Sequence, residues 1–287
     1  MKIQHPVFVR LIALLFSLGY STTYAETVKA GEKIKRSDAE IIKQHCSPAD
    51  NLNWVVGKEE CLRIITLDRD ESATLDTLVI YLHGDGFRGG PSDYLKYRAA
   101  KIKQKNVGHV VLMRPGYFDS TNNASTGVSD RKSRRATSYN AHNVKEVALA
   151  IQKLKDHHKP KKLIMVGHSG GAAIASLILG RHPEVANGAI LAACPCNVNK
   201  WVHMAGKRSG RGALSPHDYV ENVGKDVTVM ALTGTNDNNT YPVLAAEYIE
   251  TLKKNNINAK FISVEGETHN GVIKTPQFHE ALNEILL

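Results

Sequence analysis

Residues 167–171, Gly167-His168-Ser169-Gly170-Gly171, decide the fold of this chain. They lie between an apolar run at 162–166, which predicts a buried strand, and a run at 172–181 that predicts a helix. A sharp strand-to-helix turn lifts the serine hydroxyl above the sheet, and glycines flank it because side chains there would collide with the backbone. The pentapeptide alone is a weak signal. Its position between a strand and a helix predicts a nucleophile elbow with Ser169 at its tip.

Strand-like and helical runs alternate along the rest of the chain, which is typical of a parallel sheet covered by helices on both faces. The predicted strands are 62–67, 78–82, 110–113, 163–166, 189–193, 227–232 and 261–264. The predicted helices are 93–104, 141–157, 172–179, 242–254 and 277–286. We therefore expect an α/β fold with a mostly parallel central sheet. Two irregular stretches, 116–139 and 194–224, are expected to border a pocket beyond the strand ends, and neither is long enough for a large lid.

Two further groups follow predicted strands. Asp237 lies in Thr-Gly-Thr-Asn-Asp directly after one strand, and His269 lies in Glu-Thr-His-Asn-Gly after the last one. With Ser169 they form the order serine, acid, histidine, and from about residue 62 to the C-terminus the chain resembles the α/β-hydrolase fold family. The resemblance extends to its serine esterases and prolyl-oligopeptidase-like hydrolases. It implies that Ser169, Asp237 and His269 form a catalytic triad.

The chemistry of a triad requires these residue types. Ser169 would lose its proton while attacking a carbonyl, and a histidine, with an unperturbed pKa of about 6.5, can accept that proton near neutral pH. Asp237 would hold the imidazole in the correct tautomer. Glu265 and Glu267 compete for the role of the acid, but they are too close to His269 in sequence to match the position the family uses.

The resemblance also implies an oxyanion hole made of backbone N–H groups. One donor is Gly170, which follows the serine. The other is expected in His83-Gly84-Asp85-Gly86, which resembles the His-Gly-Gly-Gly motif of the family with an aspartate inserted. Asp85 is the first candidate and Gly86 the alternative. A carboxylate beside a forming oxyanion is unfavourable unless it points away.

Four other residues are candidates for a substrate pocket: Tyr117, Phe118, His168 and Trp201. Three of them have a simpler structural reading as well. The two aromatic residues of 117–118 fit a turn with a packed ring, and His168 fits a residue that shapes the elbow. Trp201 lies in the stretch 194–224 that we expect near the site.

Together these features predict an exported serine hydrolase that cleaves carboxylic esters through an acyl-enzyme, without a cofactor or a metal. The expected substrates are small-molecule esters or exposed ends of polymers. A peptidase of the prolyl-oligopeptidase-like type is the alternative, although the chain lacks the residues for a propeller and shows no acidic pair for a substrate amine. Acyl transfer to an acceptor other than water is a third reading. A non-catalytic binding protein is a fourth, disfavoured because the serine, the histidine and the elbow glycines are all present.

The first 25 residues predict a cleaved signal peptide: Lys2 and Arg10 precede and flank a short apolar run, and Thr-Tyr-Ala ends at residue 25. The run is too short to span a bilayer, which takes roughly 20 residues. We expect the mature protein in the periplasm or secreted, without stable membrane insertion. The remaining predicted parts are an N-terminal segment at 26–61 and a catalytic domain at 62–287.

Charge and cysteine content set further limits. The formal charge is +9 and falls by two, to +7, when Lys2 and Arg10 are removed. The basic clusters at 131–135 and 207–211 fit a solvated surface, and no sequence motif indicates nucleic-acid binding.

Disulfides are expected in an exported chain, and the four cysteines allow three pairings. Local pairing would join Cys46 to Cys61 and Cys194 to Cys196, although the latter closes a small ring. A metal site at Cys-Pro-Cys is the disfavoured alternative. The oligomeric state is not indicated.

Overall fold

Eight strands form one sheet in the computed structural model, which describes residues 37–67, 75–86, 90–128, 139–206 and 212–287. In order across the sheet they are β1, β2, β4, β3, β5, β6, β7 and β8. The pairs β1–β2 and β2–β4 are antiparallel, and all the others are parallel. The strands are β1 Trp54–Val56, β2 Cys61–Leu67, β3 Thr77–Leu82, β4 Val107–Leu112, β5 Lys162–His168, β6 Gly188–Ala192, β7 Thr228–Gly234 and β8 Asn258–Val264.

Helices cover both faces of this sheet. The seven α-helices in the described part of the chain are α1 Asp38–His45, α2 Lys96–Ala99, α3 Ala141–His158, α4 Gly170–Arg181, α5 Val198–Met204, α6 Pro242–Lys254 and α7 Pro276–Leu286. Two 3₁₀ helices lie at Pro216–Asn222 and Val272–Lys274. Alternate residues of β3 point into different cores, since Ile80 packs in the core of α3, α4 and α6, while Tyr81 packs in the core of α2 and α7.

Local sequence explains where the main helices begin. The side chain of Asn140 accepts a hydrogen bond from the N–H of Asn143 and so caps α3. Thr275 caps α7 in the same way, and Pro276 occupies its first position. Helix α4 is buried along almost its whole length and is apolar on all sides, as expected for a helix enclosed by its neighbours.

The mostly parallel sheet with helices on both faces was predicted, and the predicted strands differ from the observed ones only at their ends. The exceptions to the element predictions are informative. Helix α2 covers only four residues, where a helix at 93–104 was expected, because the chain turns out of it at Ala100 and the following lysines are exposed. The irregular stretch at 194–224 contains α5 and a 3₁₀ helix, each of seven residues. Strand β1 and helix α1 were not predicted.

Both local disulfides are present, one joining Cys46 to Cys61 and the other Cys194 to Cys196. Cys194 and Cys196 are thus bound to each other and not free to hold a metal. Within the described ranges, no group of three or more His, Cys, Asp or Glu side chains is arranged to bind a metal ion. None of the helices described is both long and apolar enough to cross a membrane. The basic clusters and the predicted signal peptide lie outside the described residues.

Residues 37–61 belong to the same compact unit as the rest of the described chain. Besides the disulfide, a buried carboxylate holds this segment. Oε2 of Glu146, on α3, accepts hydrogen bonds from the N–H groups of Lys58, Glu59 and Glu60 at 2.7, 3.0 and 2.9 Å. Glu146 is only 1% exposed, so its buried carboxylate is satisfied by these three backbone donors rather than by solvent.

Replacing Glu146 by alanine is therefore expected to lower the free energy of unfolding by about 2–4 kcal/mol, because it leaves three backbone donors without their acceptor. Urea denaturation of the wild type and the variant measures the change. Glu280→Ala is the matched control, since Glu280 is an exposed helical glutamate on α7. Equal, small losses in both variants would contradict this role for Glu146.

Candidate active site

The turn between β5 and α4 places Ser169 at the carboxyl edge of the sheet. Its backbone has φ 54° and ψ −120°, an uncommon conformation for a residue with a side chain. The Ser169 N–H donates to the carbonyl of Ala192 at 2.8 Å, which ties the turn to β6. A Cβ atom at Gly171 would overlap the backbone of Leu82, so the glycine is required by close packing. The nucleophile-elbow geometry expected from the sequence is present.

Three side chains from three strand ends meet at this edge. Nε2 of His269 lies 2.9 Å from Oγ of Ser169, and Nδ1 of His269 lies 2.9 Å from Oδ2 of Asp237. The structure thus brings together Ser169, His269 and Asp237 in one hydrogen-bonded chain, while Glu265 is exposed. This geometry allows proton transfer from the serine to the histidine. The catalytic roles of the three residues stay predictions.

Asp237 is buried and surrounded by donors from its own loop. Its Oδ1 accepts from the N–H groups of Asn239 and Thr240, both at 2.9 Å, and its Oδ2 accepts from the Thr240 hydroxyl at 2.8 Å. Burial alone would raise the pKa of Asp237, but the hydrogen bonds from His269 and Thr240 lower it below its usual value. An ionised Asp237 accepts a hydrogen bond from Nδ1–H of His269, which leaves Nε2 unprotonated and able to act as a base toward Ser169.

Sequence reasoning missed two residues of this loop. Besides Thr240, it missed Asn239, whose side-chain Nδ2 lies 3.2 Å from Nε2 of His269. The Asn239 carbonyl also accepts a hydrogen bond from the indole of Trp201 at 2.7 Å. The only signal in the sequence was the polar run that follows Asp237, and such a run is equally typical of an ordinary turn.

The expected oxyanion loop lies next to the elbow. Gly170 is the first residue of α4, so its N–H has no acceptor within the helix. The carboxylate of Asp85 lies directly against Gly170, where a Cβ atom would overlap it. Arg114 Nη2 donates to Asp85 Oδ1 at 2.7 Å, and the Tyr139 hydroxyl donates to Oδ2. Gly86 has φ 66°, which favours glycine. The donor roles of Asp85, Gly86 and Gly170 stay predictions.

The four pocket candidates differ in their surroundings. Tyr117 is fully buried, with its ring 4.6 Å from that of His83, and Phe118 is half-buried. Trp201 is 8% exposed, and its ring lies 6.4 Å from that of Tyr139. His168 is 3% exposed, and both of its ring nitrogens are engaged by other groups of the protein. Whether any of them contacts substrate stays a prediction.

His168 and Tyr94 connect the oxyanion loop to the loop of His269. The Gly84 N–H donates to the Tyr94 hydroxyl at 2.8 Å, and that hydroxyl lies 2.6 Å from Nδ1 of His168. Nε2 of His168 lies 3.0 Å from the carbonyl of His269. Because a carbonyl only accepts, Nε2 of His168 carries the proton, and Nδ1 accepts from Tyr94.

This arrangement requires a neutral His168. Burial lowers its pKa to about 4, and the neighbouring His269 ring acts in the same direction. Protonation of Nδ1 would remove the acceptor of the Tyr94 hydroxyl, and this hydroxyl would have to turn its hydrogen away from His168. The link between the two loops therefore depends on a histidine that stays unprotonated down to acidic pH.

The pKa of His168 also predicts a pH dependence of stability. The unfolded chain binds the proton near the ordinary value of 6.5 and the folded chain only near 4. The contribution of a neutral His168 is thus complete above pH ~6.5 and is lost as the pH falls toward 4, by about 3 kcal/mol. The pKa of the buried His109 is also lowered to about 4, so His109 adds a further loss of stability over the same pH range.

We expect His168→Gln to flatten this part of the profile, because glutamine does not titrate. Urea denaturation at pH ~4 to ~7, the range that brackets the two pKa values, measures the slope for the wild type, for His168→Gln and for His203→Gln. The last variant is the control, because His203 is exposed. If the His168 variant kept the wild-type slope, His168 would not be the group that titrates.

The comparisons with known proteins agree with this fold. Est1E from Butyrivibrio proteoclasticus, in its ferulic acid complex, superposes with a TM-score of 0.62 at 13% identity, over 81% of this chain and 97% of that one. An esterase from Pyrococcus furiosus superposes with a TM-score of 0.62 at 15% identity, over 81% of this chain and 88% of the esterase. The acylaminoacyl peptidase of Pyrococcus horikoshii gives 0.59 at 12% identity, over 87% of this chain but 43% of the peptidase. No curated protein matches the sequence.

At such low identities these structures establish the fold, which is the α/β-hydrolase fold expected from the sequence. The family follows from a separate match. The model of the prolyl oligopeptidase family matches residues 121–286, more than half of the chain and the part that contains Ser169, Asp237 and His269. The chain therefore belongs to the prolyl oligopeptidase family and is a serine hydrolase with the α/β-hydrolase fold.

Proposed function

We propose that this serine hydrolase cleaves carboxylic esters through an acyl-enzyme on Ser169. The observation that carries the proposal is the continuous hydrogen-bonded chain from Ser169 Oγ through His269 to Asp237, at 2.9 Å in each step. A serine alone is a weak nucleophile, and an adjacent base held by a third group is the arrangement that activates it. The N–H groups of Gly170 and Asp85, with Gly86 as the alternative to Asp85, are proposed to bind the oxyanion.

The proposed reaction has two balanced halves. Ser169 Oγ bonds to the ester carbonyl carbon, its proton moves to His269 Nε2, and the carbonyl oxygen becomes an oxyanion. As the carbonyl re-forms, the bond to the alcohol oxygen breaks and His269 returns the proton to that oxygen. Water then gives a proton to His269 and attacks the acyl carbon. The bond to Ser169 breaks, the serine regains its proton, and the products are one acid and one alcohol.

Two observations support an ester rather than a peptide substrate. The chain superposes on the esterases over nearly their full length, but on less than half of the acylaminoacyl peptidase. The segments beyond the strand ends carry only short helices, of seven residues each, and the described part of these segments forms no large lid. Small or exposed esters fit a site without a large lid. The family match favours a peptidase as the second candidate.

A pair of substrates that differ only in the leaving group separates the two candidates. We expect the p-nitrophenyl ester of a short acyl group to be hydrolysed at least about 100-fold faster than the p-nitroanilide of the same acyl group. Ser169→Ala should lower ester turnover by roughly 10⁴-fold or more, because the nucleophile is lost. It should also abolish labelling by a fluorophosphonate.

Ser176→Ala is the matched control, since Ser176 lies in α4, the helix that follows Ser169, and its hydroxyl donates to the Ala172 carbonyl. Faster cleavage of the anilide would favour the peptidase. Fluorophosphonate labelling without turnover of either substrate would favour a narrowly specific hydrolase. Absence of both labelling and turnover in the wild type would refute the proposal and favour a binding protein.

We also propose that the protein is exported to the periplasm or secreted. The predicted signal peptide at 1–25 supports this, and so do the two disulfides, which form in oxidising compartments. N-terminal sequencing of the protein from the periplasm or medium of a bacterial host is expected to begin at Glu26. Recovery only from the cytosol with residues 1–25 attached would contradict export.

A further inference from the structure

The carboxylate of Asp85 places a negative charge beside the position where the proposed oxyanion would form. The Asp85 carboxylate lies against Gly170, the residue whose N–H is proposed to bind the oxyanion. The Asp85 side chain is 30% exposed, so solvent reaches it only in part. Like charges in a partly desolvated site repel strongly. An uncompensated Asp85 would therefore oppose the proposed reaction.

Arg114 supplies the opposite charge. Its side chain is 2% exposed, and its Nη2 lies 2.7 Å from Asp85 Oδ1. Nε and Nη1 of Arg114 are buried and have no hydrogen-bond partner among the described residues. The guanidinium carbon lies 4.8 Å from the centre of the Tyr117 ring. Asp85 is thus the one anionic side chain that the described structure shows paired with this guanidinium.

Arg114 and Tyr139 also fix the position of the loop. The backbone N–H of Arg114 donates to Nε2 of His83 at 3.0 Å, two residues before Asp85. The hydroxyl of Tyr139 donates to Oδ2 of Asp85. Burial and the Asp85 charge raise the pKa of Tyr139 well above its usual value, so the phenol stays a neutral donor. Both carboxylate oxygens of Asp85 are therefore held.

We propose that Arg114 is a positioning and charge-compensating residue of the oxyanion hole, which permits Asp85 to lie beside the site where the oxyanion forms. This inference rests on the proposed serine hydrolase mechanism. Before reaction the substrate carbonyl is neutral, and Asp85 affects it little. In the transition state the oxyanion is charged, and an Asp85 without Arg114 would raise its energy. Loss of Arg114 therefore lowers kcat and leaves KM nearly unchanged. This fall in kcat occurs only while residue 85 is charged.

The test is a double-mutant cycle of Asp85→Asn and Arg114→Met, measured as kcat and KM on the short-chain p-nitrophenyl ester. With Asp85 present, Arg114→Met is expected to lower kcat about 50-fold or more, with KM within about threefold. In the Asp85→Asn background, the same change is expected to lower kcat less than about fivefold. Equal losses of kcat in the two backgrounds would overturn the inference, because they would show that Arg114 acts independently of the charge of residue 85.

One control variant lies outside the cycle. Arg63→Met removes a second arginine–aspartate pair, Arg63 with the buried Asp119 at 2.8 Å, and should lower thermal stability with kcat within about threefold. If Arg114→Met does not fold, Asp85→Asn alone decides. It is expected to raise kcat about threefold, because Arg114 then acts on the oxyanion unopposed, and a fall in kcat would overturn the inference. A wild type that neither turns over esters nor reacts with a fluorophosphonate would instead refute the proposed function itself.

Discussion

The strained backbone of Ser169 is the constraint on which the site depends. A residue with a side chain at φ 54° is held there only if its surroundings fix it. The helix that follows provides this, because α4 is buried from Gly170 to Gly180 and cannot shift without opening the core. The same turn brings the free N–H at the start of α4 beside the serine hydroxyl. Burial of one apolar helix thus fixes both the candidate nucleophile and a candidate oxyanion donor.

The parallel strands then determine which side chains can meet. Strands β5, β7 and β8 end at the same edge of the sheet, so Ser169, Asp237 and His269 approach one another although they are far apart in sequence. The intervening strand β6 also contributes, since the carbonyl of Ala192 accepts the N–H of Ser169. On the other side of Ser169, the Tyr94 hydroxyl connects His168 to the N–H of Gly84, in the loop after β3. The loops that carry these residues are therefore joined to one another by hydrogen bonds.

The sequence predicts those features that depend on local pattern. Apolar runs revealed the buried strands, and strand ends revealed Ser169, Asp237 and His269. Strand β1 was missed because three residues are too few to show a period, and α2 was overestimated because its apolar spacing continues past its end. The contacts of Tyr94, Thr240 and Arg114 were missed for a different reason. They join residues on separate elements, and no periodicity within one element contains that information.

Two carboxylates, Asp237 and Asp85, lie near Ser169, and their negative charges are balanced in different ways. Asp237 lies among backbone donors and faces His269, which becomes positive in the proposed mechanism when Ser169 attacks. Asp85 has no partner that gains charge during the reaction, so a permanent cation must balance it, and an arginine stays charged throughout the physiological range. In the proposed mechanism the attack creates one positive and one negative charge, which leaves the net charge of the site unchanged. Because Asp85 is paired with Arg114, the proposed oxyanion would form beside a neutral ion pair, and the positive charge on His269 would form beside Asp237.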